Sequence, residues 1–172
     1  TCETLTIAEN IFVGQLITKG VGPFKRIDKS AMNKKSTELL KQLNLFYDPN
    51  TPVSKLSIAE KQIIEIAKAL SRNTKVLVMD EPTAALNEKE VRMLFDIIGR
   101  VRDMGTGVIF ISHRLDEIFE IADDIQIMRD GKRVHVGKTA DIDKPGIIRH
   151  MVGRDVSEGR LKEPISNRNV VL

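Results

Sequence analysis

Cysteine is almost absent from the 172 residues: Cys2 is the only one. An internal disulfide is therefore excluded, and the usage fits a reducing compartment. No apolar run approaches the ~20 residues that cross a bilayer as a helix. Net charge is small, +3, so charge lends no support to nucleic-acid binding. His113, His135 and His150 include no pair at metal-ligand spacing, which predicts no histidine-based metal site. Also missing is a glycine-rich lysine loop of the form G-x-x-x-x-G-K-[ST]. Gly137-Lys138-Thr139 carries only the end of one. Position 132 holds Lys132, Gly131 lies one place too far back, and Pro145 limits any following helix. The opening Thr1-Cys2-Glu3-Thr4 has neither Met nor a basic start, so no signal peptide is expected. With the abrupt end at Asn169-Val170-Val171-Leu172, both termini are expected to be cuts in a longer polypeptide.

What is present is an ordinary water-soluble composition, 41% apolar and 30% charged, in a chain long enough for one domain with a real core. Residues 4–17 read as a short helix ending near Gly14, and 18–29 as a loop around Gly20, Gly22 and Pro23. Leu39, Leu40, Leu43 and Leu45 mark a helix over 30–45. Asp48-Pro49-Asn50-Thr51-Pro52 is a turn. Ser57 opens a helix whose apolar face is Ile63, Ile64, Ala67 and Leu70. Val76-Leu77-Val78-Met79 and Val108-Ile109-Phe110-Ile111 are short, apolar and rich in β-branched residues, and read as buried parallel strands. Between them lies a helix over 88–104, stopped by Gly105. A helix over 114–121, a hairpin turning at Asp130-Gly131 and a helix over 144–152 follow. His135 alternates with Val134 and Val136 and is expected to face solvent. Residues 153–168 are polar, without aromatics, and read as a linker.

The chemistry concentrates at Asp80-Glu81, two carboxylates at the end of an apolar strand, followed by Pro82-Thr83. Burying an unpaired carboxylate is costly, and the carboxyl edge of a parallel sheet faces the crevice where ligands bind. Asp80 suits Mg²⁺, and Glu81 suits orienting and deprotonating water for phosphoryl transfer. A strand ending in a polar turn is the plain alternative. His113 follows the second apolar strand and is expected beside Asp80-Glu81, where it could bond a phosphate or hold the carboxylate. Its plain alternative is an exposed strand-end histidine. Ser57-Ile58-Ala59-Glu60 is a capping-box pattern. The same helix N-terminus can present N–H groups to phosphate, but such a box can open any helix.

Taken in order, Leu56-Ser57 with Glu60-Lys61-Gln62, then Met79-Asp80-Glu81-Pro82-Thr83-Ala84-Ala85-Leu86-Asn87, then Ile111-Ser112-His113-Arg114 resemble an ABC-type ATPase. The likeness is closest to the first ATPase half of tandem ATP-binding subunits of bacterial monosaccharide importers, of the ribose, galactose and xylose kind. Glu65-Ile66-Ala67-Lys68-Ala69-Leu70-Ser71 and Met151-Val152-Gly153-Arg154 extend it over nearly the whole chain. The resemblance implies an α/β, P-loop NTPase-like layer with a parallel sheet core and a partial helical subdomain. It divides the chain into a helical (signature) part at 1–71, part of the ATPase core at 72–153, and a linker opening a second ATPase half at 154–172.

By the same resemblance, Asp80 and Glu81 match Walker B, with Glu81 as general base and Asp80 as Mg²⁺ ligand. His113 matches the switch histidine. Ser57, Ala59 and Glu60 match the signature that faces ATP on the opposite half, and Asn87 falls in the D-loop. Three departures stand out. Ile58, Ala59 and Glu60 replace the usual Gly-Gly-Gln, Asn87 replaces an Asp, and Walker A with the Q-loop glutamine is missing, as by truncation. The implied cofactors are ATP and Mg²⁺. The implied partners are transmembrane permease subunits, a second ATPase half or copy and, indirectly, a periplasmic sugar-binding protein, with no nucleic acid. The implied place is the cytoplasmic face of the cell membrane, peripherally bound. The expected function is coupling of ATP hydrolysis to carbohydrate import, with this chain alone inactive. The alternative is a degenerate, non-catalytic half that docks to a partner ATPase.

Overall fold

The computed structural model describes residues 1–153, so the linker and the expected opening of a second half lie outside the described residues. The chain forms two compact units, Thr1–His113 and Arg114–Leu172.

In the first unit, Thr6 caps a short helix α1 (Ile7–Ile11) through a capping box with Glu9. Ile7, Ala8 and Ile11 are buried against α2 (Lys29–Gln42) and α3 (Ile58–Leu70). The apolar face expected on α3 is the one buried: Ile63, Ile64, Ala67 and Leu70, joined by Ala59 and Ile66. The segment expected as a plain loop contains a small antiparallel hairpin instead, β1 (Thr18–Lys19) with β2 (Arg26–Ile27). Two-residue strands leave no alternation to read, so pattern alone misses them.

After α3 come β3 (Val76–Asp80), α4 (Glu88–Asp103) and β4 (Gly107–Ile111). The strands pair in parallel, from Val76 opposite Gly107 to Asp80 opposite Ile111. Leu94, Ile97, Ile98 and Val101 of α4 are buried. Phe95 meets Phe110 edge-to-face with centroids 5.9 Å apart. This covers one face of the pair. Leu77 and Met79 are accordingly buried, but Val76, Val78, Ile109 and Ile111 remain 52%, 58%, 51% and 46% exposed. The expectation that both strands are buried is therefore corrected. An apolar run signals two covered faces, and within these residues a helix covers only one.

Four β-branched side chains on one exposed face should make the purified chain associate and bind a hydrophobic dye. Replacing Val78 and Ile109 together by lysine should reduce both signals. A compact monomer without dye binding in the unmodified chain would contradict this.

In the second unit, α5 (Leu115–Ile121) precedes the antiparallel strands β5 (Asp124–Arg129) and β6 (Lys132–Lys138), and α6 (Lys144–Val152) closes the described chain. Asp130 and Gly131, at φ 52° and 71°, make the expected tight turn. Ile125, Ile127 and Ile147 form its core, with Leu115, Phe119 and Val134 packed around them. A bulge at Ile127 and Met128 shifts the register, so that Ile127 pairs with His135 and Met128 with Arg133. His135 does not simply face solvent: it is half-buried and stacks on His150 of α6, centroids 4.6 Å apart. Alternation failed there because α6 lies along the hairpin, which strand pattern does not report. Lys138, the lysine of the false phosphate loop, stands at the end of β6 and pairs with Asp124 at 2.8 Å.

Candidate functional site

The register of β3 and β4 brings the two chemical segments to one edge. Asp80 ends β3 opposite Ile111, and the Glu81 N–H still donates to the Ile111 carbonyl at 2.9 Å. Two residues past Ile111, His113 reaches back, and its Nδ1 lies 2.9 Å from Glu81 Oε1. An ionised carboxylate only accepts, so with Glu81 charged the imidazole donates from Nδ1 and leaves Nε2 free. The pair is lopsided in exposure: the His113 side chain is 72% exposed and that of Glu81 35%.

Glu81 has a second distinctive feature. Its φ is +45°, a left-handed backbone that costs a non-glycine residue about 1–2 kcal/mol. Such strain clusters at functional positions, where surrounding structure holds it. The turn that follows supplies the hold: the Ala84 N–H donates to the Glu81 carbonyl and the Leu86 N–H to that of Thr83, a residue wholly buried. The result is a carboxylate whose Oε1 is engaged by His113 and whose Oε2 is buried without a hydrogen-bond partner among the described residues. A buried acceptor left open is costly unless something donates to it. Water or a protonated group there would complete the site.

Asp80 is exposed on the bare face of the sheet, adjacent to Glu81. Among the described residues no three His, Cys, Asp or Glu side chains converge as a metal cage. Mg²⁺ is usually held by one or two carboxylates together with substrate phosphates and water.

The other sequence-predicted residues cap helices. Ser57 is the N-cap of α3: the Glu60 N–H donates to Ser57 Oγ at 3.2 Å, and the Ser57 N–H donates to Glu60 Oε2 at 2.8 Å. The Glu60 charge is thus folded back onto the helix start, where the dipole favours it. Ile58 and Ala59 occupy the first turn, and Ile58 is 61% exposed. Asn87 caps α4 in the same way with Glu90, at 3.1 and 3.0 Å. That second box was legible as Asn87-Glu88-Lys89-Glu90 and was missed.

Sequence reasoning also missed Tyr47, which the fold brings beside Glu60. Burial first, and the Glu60 charge second, push the phenol up to about 12. Tyr47 is the only tyrosine, so ultraviolet titration reports it alone. Its ionisation should appear near 12 and move toward the ordinary value in Glu60→Gln, stopping short because burial persists. A raised phenol stabilises the fold fully below its unfolded value near 10, a contribution lost as pH rises through 12. Tyr47→Phe should therefore flatten the alkaline stability loss between these limits. Unshifted titration at the ordinary value would contradict the contact.

Two concavities of about 490 and 430 Å³ are lined wholly by residues of the second unit and include none of the site residues named above.

Residues 2–84 match the family described as ABC transporter. The galactose/methyl galactoside import ATP-binding protein MglA 1 of Photobacterium profundum is 45% identical over 153 residues, 89% of this chain and 30% of that protein. The structure of MJ1267, an ATP-binding cassette of an ABC transporter, superposes with TM-score 0.71 at 25% identity, over 86% of this chain and 63% of that one. A third similarity, of fold alone, is to cbiO1 from Clostridium perfringens, part of the ABC transporter complex cbiONQ: TM-score 0.65, 21% identity, 80% of this chain and 53% of that one. The chain spans about a third of the length of the curated relatives it matches, 32% and 30% in two of them. Sequence likeness across nearly the whole chain and a shared α/β fold agree: the chain is similar to the ATP-binding proteins of ABC transporters.

Proposed function

We propose that this chain is part of an ABC-type ATPase that couples ATP hydrolysis to carbohydrate import. The relatives' import of galactose and methyl galactoside supports the sugar class. The observation that carries the hydrolytic reading is the Glu81–His113 contact at 2.9 Å, on a strained residue with an open buried oxygen. ATP bound with Mg²⁺ supplies the transferable phosphoryl group and the metal's neutralising charge. Asp80 offers the carboxylate for Mg²⁺. Glu81 orients water and takes its proton at Oε2. His113, donating to Glu81 from Nδ1, fixes that carboxylate, and its Nε2 is the free edge for the terminal phosphate. Donation there requires the ring to carry both protons.

Ser57, Ala59 and Glu60 would face ATP held by a second ATPase half or copy, with Asn87 near that junction. Residues 1–71 then form the helical part toward transmembrane permease subunits on the cytoplasmic face of the cell membrane, 72–153 the core, and 154–172 a linker into a second half. A periplasmic sugar-binding protein would act through the permease.

One observation favours the rival reading, a non-catalytic docking half. Glu60 and Ser57 satisfy the start of α3 internally, which leaves less for a phosphate. Turnover by a full-length protein carrying this chain decides between them. His113→Ala should reduce hydrolysis at least tenfold with ATP binding and thermal stability retained. Unchanged turnover would leave the docking reading standing. The 172-residue chain alone, lacking a lysine loop to cradle the β and γ phosphates, should show no turnover at all.

A further inference from the structure

The β1–β2 hairpin has features that the nucleotide chemistry does not use. All four residues of its ladder, Thr18, Lys19, Arg26 and Ile27, are exposed. A ribbon of two-residue strands that buries neither face gains little from its own fold. At its tip, Val21 is 86% and Phe24 78% exposed, with Leu16 and Ile27 each 47% exposed behind them. One exposed apolar residue is ordinary. An aliphatic and an aromatic residue together on a protruding turn are not, because each remains in water when it could be packed.

The charges are arranged as oddly. Lys19 stands directly opposite Arg26 in the ladder, and like charges facing across strands are destabilising. Lys25 adds a third cation beside them. Asp28 lies 3.9 Å from Lys19, whereas Lys25 and Arg26 enter no ion pair among the described residues. An external anion would relieve this repulsion.

We propose that this hairpin docks on an anionic phospholipid surface. The order of the groups is the argument. Val21 and Phe24 lead at the tip, and the cationic ladder pair Lys19 and Arg26 sits one step behind. A bilayer presents the matching order, with anionic phosphates at the surface and an apolar layer beneath. A convex tip needs a receiver that closes around it, and lipid does so without a preformed groove. The proposal does not depend on the hydrolytic reading: the hairpin can bind lipid whether or not Glu81 is catalytic.

Co-sedimentation of the 172-residue chain tests it, using phosphatidylcholine vesicles with and without phosphatidylglycerol. Partition should be roughly tenfold or more stronger with the anionic lipid and fall toward the neutral level at high salt. Neutral vesicles also report adsorption through the bare sheet face, so the anionic difference is the reading. Val21→Asp with Phe24→Asp, and separately Lys25→Glu with Arg26→Glu, should each abolish that difference. All four replaced side chains are exposed, so circular dichroism and melting should not change. Lys34→Glu with Lys35→Glu, on the exposed side of α2, should keep it. Equal binding to both vesicles, survival of the difference in either hairpin variant, or its loss in the α2 control would overturn the proposal. Binding instead to an isolated cytoplasmic permease loop, with vesicles untouched, would also overturn it and make the hairpin a protein contact.

Discussion

Glu81→Gln, in a full-length protein carrying this chain, should slow ATP hydrolysis at this site by at least ~100-fold, the usual scale for losing a general base. The substitution is close to isosteric. The side-chain carbonyl can still accept from His113 Nδ1, 2.9 Å away in the parent, so the local geometry should survive. What disappears is the basicity of Oε2, the buried oxygen without a partner. ATP binding should persist, because Asp80 is untouched. A Glu81→Gly arm separates strain from chemistry. Glycine relieves the φ of +45°, so the melting temperature should rise or hold while turnover is lost. Hydrolysis at the parental rate in Glu81→Gln would mean that Glu81 is only a turn residue and this half a pseudo-site.

That Asp80 and Glu81 end a strand was readable because four apolar residues run into two carboxylates and a proline. That His113 meets Glu81 followed from two short apolar segments pairing in parallel, a reading at the level of topology. The left-handed backbone at Glu81 was not readable. Glycine usually announces such a turn, and here a carboxylate occupies it, held by Ala84 and Leu86 hydrogen bonds that no local pattern encodes. The start of α3 was legible from Ser57 and Glu60, and α4 carries the same signal at Asn87 and Glu90. Tyr47 lies ten residues before Ser57 in an irregular stretch, and only the tertiary fold brings it to Glu60. That one side of the β3–β4 sheet lies bare follows from the missing lysine-loop portion of the chain, but which side chains stand on it was not readable. Val76, Val78, Ile109 and Ile111 look like core in sequence, and what covers a sheet face is decided by elements distant along the chain.

Ser57→Arg bears on the other end of the proposed chemistry, the helix start that would face ATP on a second half. In the parent, Ser57 Oγ accepts from the Glu60 N–H and the Ser57 N–H donates to Glu60 Oε2. Arginine removes the first bond, and losing an N-cap hydroxyl costs about 1 kcal/mol. It also places a long side chain where the first-turn N–H groups of α3 would approach phosphate. Transport and cooperative hydrolysis should therefore fall sharply, tenfold or more, while ATP binding to the lysine-loop half is largely kept. Ser57→Ala supplies the control, since it loses the same cap bond without bulk. If both variants melt alike but only arginine stops transport, the helix start is a contact with nucleotide or its opposing half. Restoring glycine at 58 and 59 should raise hydrolysis at the opposing site, because a side chain restricts backbone approach to phosphate. If Ser57→Arg transports normally, Ser57 and Glu60 do no more than begin a helix.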